Sequence, residues 1–384
     1  MTQRREIAFL DLPRQRARLG EALTRRVDAV MAHCKFVLGP EVTELEERLA
    51  AYAGARHAIG VSSGTDALLA VLMGEGIGPG DAVFLPAFTY TATAEIVLLL
   101  GAVPVFVDVD ARTFQIDPAH LEARIAATLR DGQWRPRAII GVDLFGQPAP
   151  WDELKIIADR HKLTLVDDCA QAFGGSYKGR KLGREARATT LSFFPSKPLG
   201  GYGDGGAILT DDEGLASLYR SLRSHGEGQN RYDVQRIGLN ARLDTLQAAV
   251  LLAKLDAFDA ELARREAIAR AYDAGLPEII QTPQRVAGAQ SAWAIYSILL
   301  PTMALRDSLQ SWLKAHGIPS VVYYPKPLHR QPAYASYHNN EIPLPVSEKL
   351  GEIILSLPLH PELTDDEVRY IIDTTLEWSK ERKT

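Results

Sequence analysis

Between about residues 40 and 210, short apolar runs alternate with segments of helical periodicity, and this alternation constrains the fold more than any other feature. Short apolar runs predict buried strands, whereas apolar residues that recur at every third and fourth position predict helices. Strands that alternate with helices form a mainly parallel sheet with helices on both faces, and ligands bind beyond the carboxyl ends of its strands. The predicted strands are Ala58–Val61, Val83–Leu85, Val105–Val107, Ala138–Val142, Leu163–Val166 and Thr190–Phe194, and the predicted helices among them are residues 40–54, Ala67–Met73, Thr93–Leu100 and Trp151–His161.

The pattern changes near Arg242, where a long amphipathic helix begins that runs to about Tyr272. A length of 384 residues exceeds what one simple core accommodates, so we predict an α/β protein of two domains. The large domain comprises residues 1–254 with the N-terminal segment, and a smaller C-terminal α+β domain comprises residues 255–384. The predicted elements of the small domain are a strand at Ala294–Leu299, a helix at Leu305–His316, a strand at Ser320–Tyr324 and a final helix that opens with the capping box Thr364-Asp365-Asp366-Glu367.

Composition excludes several classes of protein. The formal net charge is −5 and no long basic run occurs, which argues against a nucleic-acid binder but not against a locally positive pocket for anions. The two cysteines, Cys34 and Cys169, exclude a disulfide framework and a cysteine zinc site, and we expect no metal. The most apolar stretch, Ile96–Val107, is too short to span a bilayer, and no signal-peptide core follows the N-terminus. We therefore expect a cytoplasmic protein that does not act on membranes.

Two carboxylates, Asp167 and Asp168, follow the predicted strand at Leu163–Val166. A strand-end pair of this kind most often faces water. The functional alternative is a buried carboxylate beside a cationic ring nitrogen, which needs such a partner to stay protonated and to act as an electron sink. Gln171 would then hydrogen-bond the phenolic oxygen of the same ring.

Lys197 follows the segment Ser192-Phe193-Phe194-Pro195-Ser196 and precedes a run rich in glycine. A lysine after a strand is usually a solvated surface residue. A lysine in a confined apolar site, however, loses its proton readily and forms Schiff bases, and glycines let the backbone approach a ligand closely. The order of glycine and lysine excludes a Walker motif.

Two further signals are ambiguous when they are taken alone. The turn Ser63-Gly64-Thr65-Asp66 opens a predicted helix and is either an ordinary N-cap or a phosphate-binding cup. Tyr90 either stacks on a flat ring or is a core aromatic.

The order of the motifs along the chain is more specific than any one of them. The segments are Phe36-Val37-Leu38-Gly39-Pro40, Ser63-Gly64-Thr65-Asp66-Ala67-Leu68, Pro86-Ala87-Phe88-Thr89-Tyr90, Asp167-Asp168-Cys169-Ala170-Gln171, Ser192-Phe193-Phe194-Pro195-Ser196-Lys197, Gly238-Leu239-Asn240-Ala241-Arg242-Leu243-Asp244 and Ser356-Leu357-Pro358-Leu359-His360-Pro361. Together they resemble the fold-type I aminotransferases of the DegT/DnrJ/EryC1/StrS family, which use pyridoxal 5'-phosphate (PLP) to aminate nucleotide-linked keto-sugars. The resemblance extends from about Phe9 to the last helix.

The resemblance implies a set of residue roles. Lys197 would form the Schiff base with PLP and move the proton, with pyridoxamine phosphate as the second cofactor form. Asp168 would pair with the ring nitrogen as the second catalytic residue. Asn240 would reach the phosphate of the neighbouring subunit, which implies a homodimer with shared active sites. The other implied cofactor contacts are Gln171 at the ring hydroxyl, Tyr90 on the ring face, and Gly64, Thr65, Asp66 and Ser192 at the phosphate.

The segments Phe193–Gly200 and Tyr202–Gly206 are similar to enzymes that aminate C3 of UDP-2-acetamido-2-deoxy-3-oxo-D-glucuronic acid in bacterial O-antigen synthesis, with L-glutamate as the usual donor. By that likeness Arg242 would grip the sugar carboxylate in a planar fork; otherwise it is a surface residue or pairs with Asp244. Tyr323 and Tyr324 would bind the substrate, although Tyr323 stands where the family has histidine.

Three alternatives remain open. One is amination at C4 of another UDP- or dTDP-linked deoxy-keto-sugar, and a second is a non-catalytic regulator on the same fold. The intact set Lys197, Asp168 and Gln171 argues against the regulator. A nucleotide-sugar dehydrogenase is a more distant alternative, since no glycine fingerprint follows an early strand. A branch of the family with histidine in place of the lysine dehydrates its substrate, so Lys197 favours amination.

Overall fold

The computed structural model describes residues 6–230, 232–337 and 342–381. The helices are α1 (Leu12–His33), α2 (Pro40–Ala53), α3 (Gly64–Gly74), α4 (Ala92–Leu99), α5 (Pro118–Asp131), α6 (Trp151–His161), α7 (Glu213–Leu222), α8 (Thr245–Leu255), α9 (Phe258–Gly275), α10 (Met303–Ala315), α11 (Pro345–Ile353) and α12 (Asp365–Lys380). The strands are β1 (His57–Val61), β2 (Asp81–Pro86), β3 (Val103–Val107), β4 (Arg135–Val142), β5 (Thr164–Asp168), β6 (Ser176–Tyr177), β7 (Arg180–Lys181), β8 (Ala188–Ser192), β9 (Gly206–Thr210), β10 (Ala289–Gln290), β11 (Tyr296–Leu299) and β12 (Ile354–Leu357).

A seven-stranded sheet lies at the centre, in the order β1-β9-β8-β5-β4-β2-β3. Strands β3, β2, β4, β5 and β8 run parallel to one another, whereas β9 is antiparallel to both β8 and β1. The predicted mainly parallel mixed sheet is therefore confirmed. The carboxyl ends of β2, β4, β5 and β8 share one edge, where α/β proteins bind their ligands.

Apolar side chains cover both faces of this sheet. One cluster includes Leu45 of α2 and Trp151 of α6, and the cluster on the other face includes Leu68 of α3 and Tyr219 of α7. A third cluster joins α9, α10 and α12 to the antiparallel pair β11–β12. Ile7 belongs to this third cluster, so the start of the chain packs among C-terminal elements. None of the described helices is long and apolar enough to cross a membrane.

Local signals predicted several elements well. Helix α2 begins at Pro40 and ends before Gly54, whose φ of 72° suits a left-handed glycine cap. Helix α6 has the predicted bounds, and α12 opens with the predicted capping box between Thr364 and Glu367.

Two predictions in the C-terminal part were wrong. The single long helix is two helices, α8 and α9, separated by Asp256 and Ala257. Both helices contribute to the same apolar cluster, so the periodicity continues across a break that it cannot reveal. The predicted domain boundary between residues 254 and 255 falls in the last turn of α8, and it stays a prediction.

The predicted strand at Ser320–Tyr324 is reduced to a single bridge between Val321 and Ser356. The neighbour of β11 is β12, which the sequence reading missed. Strand β8 also ends at Ser192, two residues earlier than predicted. In each case the apolar pattern was present, but the available pairing edge decided which residues joined a sheet.

Candidate active site

A cavity of about 610 Å³ opens at the carboxyl edge of the sheet. Its walls include the ends of β4, β5 and β8, together with the start of α3 and the segment at residues 322–325. The predicted site residues that line this one cavity are Gly64, Thr65, Tyr90, Asp168, Gln171, Ser192, Lys197, Tyr323 and Tyr324. The fold therefore brings together most of a set that the sequence scatters over 261 positions.

Asp168 is the last residue of β5, and its side chain is buried. Its Oδ2 accepts a hydrogen bond from the Thr93 hydroxyl at 3.2 Å, and its Oδ1 accepts one from the Ala170 N–H at 3.2 Å. Burial raises the pKa of Asp168, while the positive charge of Lys197 acts in the opposite direction. The carboxylate is thus held in place and is poised to stabilise a neighbouring cation.

Lys197 lies in a turn after β8, where its N–H donates to the Phe194 carbonyl at 2.8 Å. Burial lowers the pKa of Lys197, and the charge of Asp168 partly offsets this effect. An amine with a lowered pKa is more often neutral at a given pH, and only the neutral amine is a nucleophile or a base. The electrostatics of the site suit the Schiff-base role predicted for Lys197, which stays a prediction.

Helix α8 holds the glycine-rich loop that follows Lys197. Lys254 donates to the Gly200 carbonyl, and the Tyr202 N–H donates to Gln247 Oε1 at 2.8 Å. Burial lowers the pKa of Lys254 to about 8. Sequence reasoning missed these contacts, and the one available signal was a lysine inside an apolar helical run.

The start of α3 lies against the end of β8. A side chain at Gly64 would place its Cβ 2.7 Å from Ser192 Cβ, so this close approach requires glycine. The Ser63 hydroxyl caps the helix by accepting from the Asp66 N–H at 3.0 Å. Gly64, Thr65 and Ser192 line the cavity, whereas the Asp66 carboxylate accepts from the Ser63 hydroxyl at 3.0 Å and does not line it. A helix N-terminus in this position is suited to a phosphate group.

Tyr90 is 55% exposed and lines the cavity, so it is not a core aromatic. Its ring centroid lies 6.5 Å from that of Tyr324. The Tyr324 hydroxyl accepts from Gln171 Nε2 at 3.2 Å, and Gln171 Oε1 accepts from the Phe145 N–H at 3.0 Å. Burial raises the pKa of Tyr324, which keeps the phenol protonated.

The N-terminal segment forms another part of the wall. Phe9 and Leu10 line the cavity, and the Phe9 ring meets Tyr323 edge-on at a centroid distance of 6.2 Å. The His360 side chain hydrogen-bonds the Ala8 carbonyl at 3.1 Å and so holds this segment in place. Nothing in the sequence around Phe9 had indicated a part in the site.

Asn240 and Arg242 lie outside the cavity of their own chain. Arg242 donates from Nε and Nη2 to Asn240 Oδ1, at 3.1 and 2.7 Å, and Asn240 is exposed. Arg242 is therefore bound to Asn240 rather than to Asp244. The predicted roles of both residues require a neighbouring subunit and stay predictions.

Asp167 does not face water, contrary to the ordinary reading of a strand-end pair. Successive strand residues point to opposite faces, so Asp167 lies behind the cavity with Asp143 and Cys169, and all three are buried. Asp143 Oδ1 accepts from the N–H of Ala149 at 2.7 Å and from the Trp151 indole at 3.0 Å. Among the described residues, the remaining oxygens, Asp143 Oδ2 and Asp167 Oδ1, accept from no N–H or O–H group, and the Cys169 thiol lies beside them.

Comparison with known proteins gives consistent results over nearly the whole chain. Residues 17–376 match the model of the DegT/DnrJ/EryC1/StrS aminotransferase family. The UDP-2-acetamido-2-deoxy-3-oxo-D-glucuronate aminotransferase of Pseudomonas aeruginosa is 45% identical over 95% of this chain and 98% of its own length. A pleiotropic regulatory protein of Geobacillus stearothermophilus is 41% identical over 97% of this chain and 98% of its own. The crystal structure of a DegT DnrJ EryC1 StrS aminotransferase from Brucella abortus superposes with a TM-score of 0.94 at 47% identity, covering 97% of this chain and 99% of that one.

Proposed function

The chain belongs to the DegT/DnrJ/EryC1/StrS aminotransferase family, whose cofactor is PLP, and we propose that it transfers an amino group from L-glutamate to C3 of UDP-2-acetamido-2-deoxy-3-oxo-D-glucuronic acid. The observation that carries the proposal is the 45% identity, over 95% of the chain, to an aminotransferase named for that substrate. The cavity supports the reaction class, because it combines a lysine of lowered pKa with a buried carboxylate. The product would serve O-antigen synthesis in the cytoplasm.

The described residues fit PLP. The start of α3 approaches β8 so closely that a Cβ at Gly64 would fill the space, which suits a phosphate held by backbone N–H groups. Lys197 would hold the cofactor, and Asp168 would pair with its ring nitrogen. Gly64, Thr65 and Ser192 would bind its phosphate, with Tyr90 on its ring. When it is bound, PLP supplies an electron sink for the carbanion that forms at the carbon carrying nitrogen.

The chain's own groups would then perform the proton transfers. Lys197 Nζ, with its lowered pKa, would take the proton from the donor carbon and later deliver one to the sugar carbon. The Asp168 carboxylate, held by Thr93 and the Ala170 N–H, would stay ionised beside a cation, because a neighbouring positive charge lowers its pKa. Asp168 is buried and Lys197 is half-buried, and the lower local polarity strengthens the interaction between their charges.

A homodimer is part of the proposal. Asn240 and Arg242 would complete the active site of the neighbouring subunit, at the phosphate and at the sugar carboxylate respectively. Large apolar side chains that a single chain leaves exposed support an interface nearby, since exposed apolar patches commonly mark such surfaces. They are Phe36, Val37, Leu38, Tyr232, Val234 and Ile237.

The alternatives concern the acceptor and the class of protein. Tyr323, packed on Phe9, stands where the family has histidine, which weakens the assignment of one acceptor, so another UDP- or dTDP-linked keto-sugar is the second candidate. The name of the Geobacillus relative favours a regulator as the rival class. The lowered pKa of Lys197 and the buried Asp168 in one cavity favour the enzyme.

An absorption spectrum of the purified protein, before and after L-glutamate, tests the class of protein. We expect a band near the visible edge that glutamate converts to one of shorter wavelength. Lys197→Ala should lose the band and turnover, whereas Lys178→Ala, at an exposed lysine paired with Asp152, should keep both. A protein that stays colourless after addition of PLP would contradict the enzyme and favour the regulator.

A panel of acceptors tests the substrate. Amination of UDP-2-acetamido-3-oxo-glucuronate at least tenfold faster than of the matching sugar without the carboxylate would support the proposed acceptor. Equal rates for the two sugars, or faster amination of a 4-keto-6-deoxy sugar, would contradict it and favour the second candidate.

A further inference from the structure

Arg265 is a buried cation that lines the active-site cavity. It lies on α9, and its side chain is 3% exposed. Among the described residues that line the cavity, no other is an arginine. Sequence reasoning assigned it no role. A buried charge is costly unless it is paired, so its surroundings show what would stabilise it.

The protein uses only part of the hydrogen-bonding capacity of this side chain. Nη1 donates to the Trp293 carbonyl at 2.9 Å and to the Leu359 carbonyl at 3.3 Å. The buried Nε has no partner among the described residues. Arginine carries five N–H donors, so the two bonds to carbonyl groups leave the charge and several donors unused.

No carboxylate of the described residues lies within ion-pair distance of Arg265. Glu261 and Glu362 are near enough to raise its pKa, yet burial outweighs them and leaves that pKa lowered. Both of these glutamates are instead paired with Arg18. The guanidinium therefore remains charged, since arginine does not deprotonate in proteins, and it lacks a counter-ion at the cavity wall.

The preceding residue provides a contrast. Arg264, on the same helix, pairs with Asp365 at 2.7 Å and also donates to the Leu363 carbonyl. It lies outside the cavity and has a neutralising partner. Arg242, the arginine that the sequence suggested for carboxylate binding, is occupied by Asn240 outside this cavity.

We infer that Arg265 binds a carboxylate in the cavity, and that this contact comes from the same subunit as Lys197, in addition to any that Arg242 of a neighbouring subunit would make. The inference rests on the proposed function, which brings two sources of carboxylate to this site: the amino-acid donor and a uronic-acid acceptor. A carboxylate beside Arg265 would supply the missing counter-charge and accept charge-assisted hydrogen bonds. It would also hold the bound molecule at a fixed position relative to Lys197.

Binding of unreactive probes to the PLP-loaded protein tests the inference by titration calorimetry. Glutarate and its neutral analogue glutaramide probe the donor, and UDP-glucuronate and UDP-glucose probe the acceptor. Wild type should prefer the carboxylate member of at least one pair. Arg265→Gln should weaken the binding of that carboxylate probe by roughly 30-fold or more and leave the binding of the neutral probe unchanged. The pair that responds identifies the source of the carboxylate.

Arg264→Gln is the matched control and should change neither pair by more than about twofold, since its pairing partner lies at the surface. If Arg265→Gln fails to fold, Arg265→Lys keeps the charge but loses the planar fork, and it should reduce the preference for the carboxylate at least fivefold. The inference would be overturned if the folded variant kept the wild-type preference for the carboxylate probe. It would also be overturned if wild type preferred the carboxylate probe in neither pair. Unchanged probe binding with normal transamination refutes this role alone, whereas a protein that never binds PLP refutes the proposed function.

Discussion

Two buried carboxyl groups behind the cavity, Asp143 and Asp167, should make the stability of the protein depend on pH. Burial raises the pKa of Asp143 to about 8, and burial together with the charge of Asp143 raises that of Asp167 well above its ordinary range. Among the described residues, one oxygen of each acid accepts from no N–H or O–H group, and the two side chains lie in one buried group with atoms within 4.8 Å. Because burial raises both pKa values and the two charges would repel each other, each acid retains its proton at neutral pH.

Unfolding exposes both acids to water, where an aspartate ionises near pH ~3.9. Between about pH 4 and pH 8 the folded protein therefore binds more protons than the unfolded chain, and the free energy of unfolding falls as the pH rises. One retained proton gives a slope of about 1.4 kcal/mol per pH unit, or about 2.7 kcal/mol over two units. With ~2.1 cal/mol/K of unfolding entropy per residue, this corresponds to about 3 °C in Tm for 384 residues.

Asp143→Asn should remove the contribution of Asp143, whereas Asp167, whose pKa is raised mainly by its own burial, should keep its proton. The introduced amide keeps an oxygen for the N–H groups of Ala149 and Trp151 and cannot titrate. Between pH 5 and pH 7, the Tm measured by calorimetry should decrease by about 3 °C more in wild type than in the variant. An equal decrease in Tm in the two proteins would refute a proton retained on Asp143.

Asp110→Asn is a control of opposite sign. Although burial pushes the pKa of Asp110 upward, hydrogen bonds from Thr113 and Arg112 hold it below the ordinary value. The stability that Asp110 contributes is present above the unfolded pKa and is lost as the pH falls through the folded value. This variant should therefore differ from wild type in its pH dependence only on the acid side, below about pH 4.

Three further predictions concern the cavity. Asp168→Asn should bind PLP but transaminate at least 100-fold more slowly, because the ring nitrogen loses its anionic partner, and near-normal kcat would remove Asp168 from that role. Gly64→Ala, whose Cβ would meet Ser192, should lower PLP affinity by roughly tenfold in a fluorescence titration. Gly78→Ala is the control, because the atom nearest to its Cβ lies 3.9 Å away, and it should leave the affinity unchanged. Equal affinities in the two variants would contradict the close approach. Tyr324→Phe removes the acceptor of a 3.2 Å amide hydrogen bond and should lower Tm by roughly 1–2 °C, and an unchanged Tm would assign that bond no stabilising part.

Local signals in the sequence were sufficient for much of the fold. Pro40 and Gly54 marked the ends of α2, and Thr364 with Glu367 marked the start of α12, because caps depend on the residue type at one or two positions. Short apolar runs located the parallel strands, since a strand buried on both faces must be apolar along its length. The order of Lys197 relative to the other motifs indicated the family before any contact was described.

Other features of the fold depended on contacts between distant residues. The break between α8 and α9 left the apolar period intact, and only the packing of two helices on one core separated them. The segment expected as a strand at Ser320–Tyr324 meets β12 at a single bridge, between Val321 and Ser356, and the strand that pairs with β11 is β12. Pattern identifies which residues are suited to a strand, and tertiary structure decides which of them find a partner.

The sequence by itself located the candidate site, because the order of its lysine, carboxylate and turn motifs resembles that of one family, although each motif alone was ambiguous. Only the tertiary structure decided which charges lack a partner. Arg264 and Arg265 are neighbours of the same type on one helix, yet the first reaches Asp365, whereas the second lies buried at the cavity with its nearest glutamates bound to Arg18. A side chain's electrostatic surroundings are set by residues far away in the chain, and no local pattern specifies them.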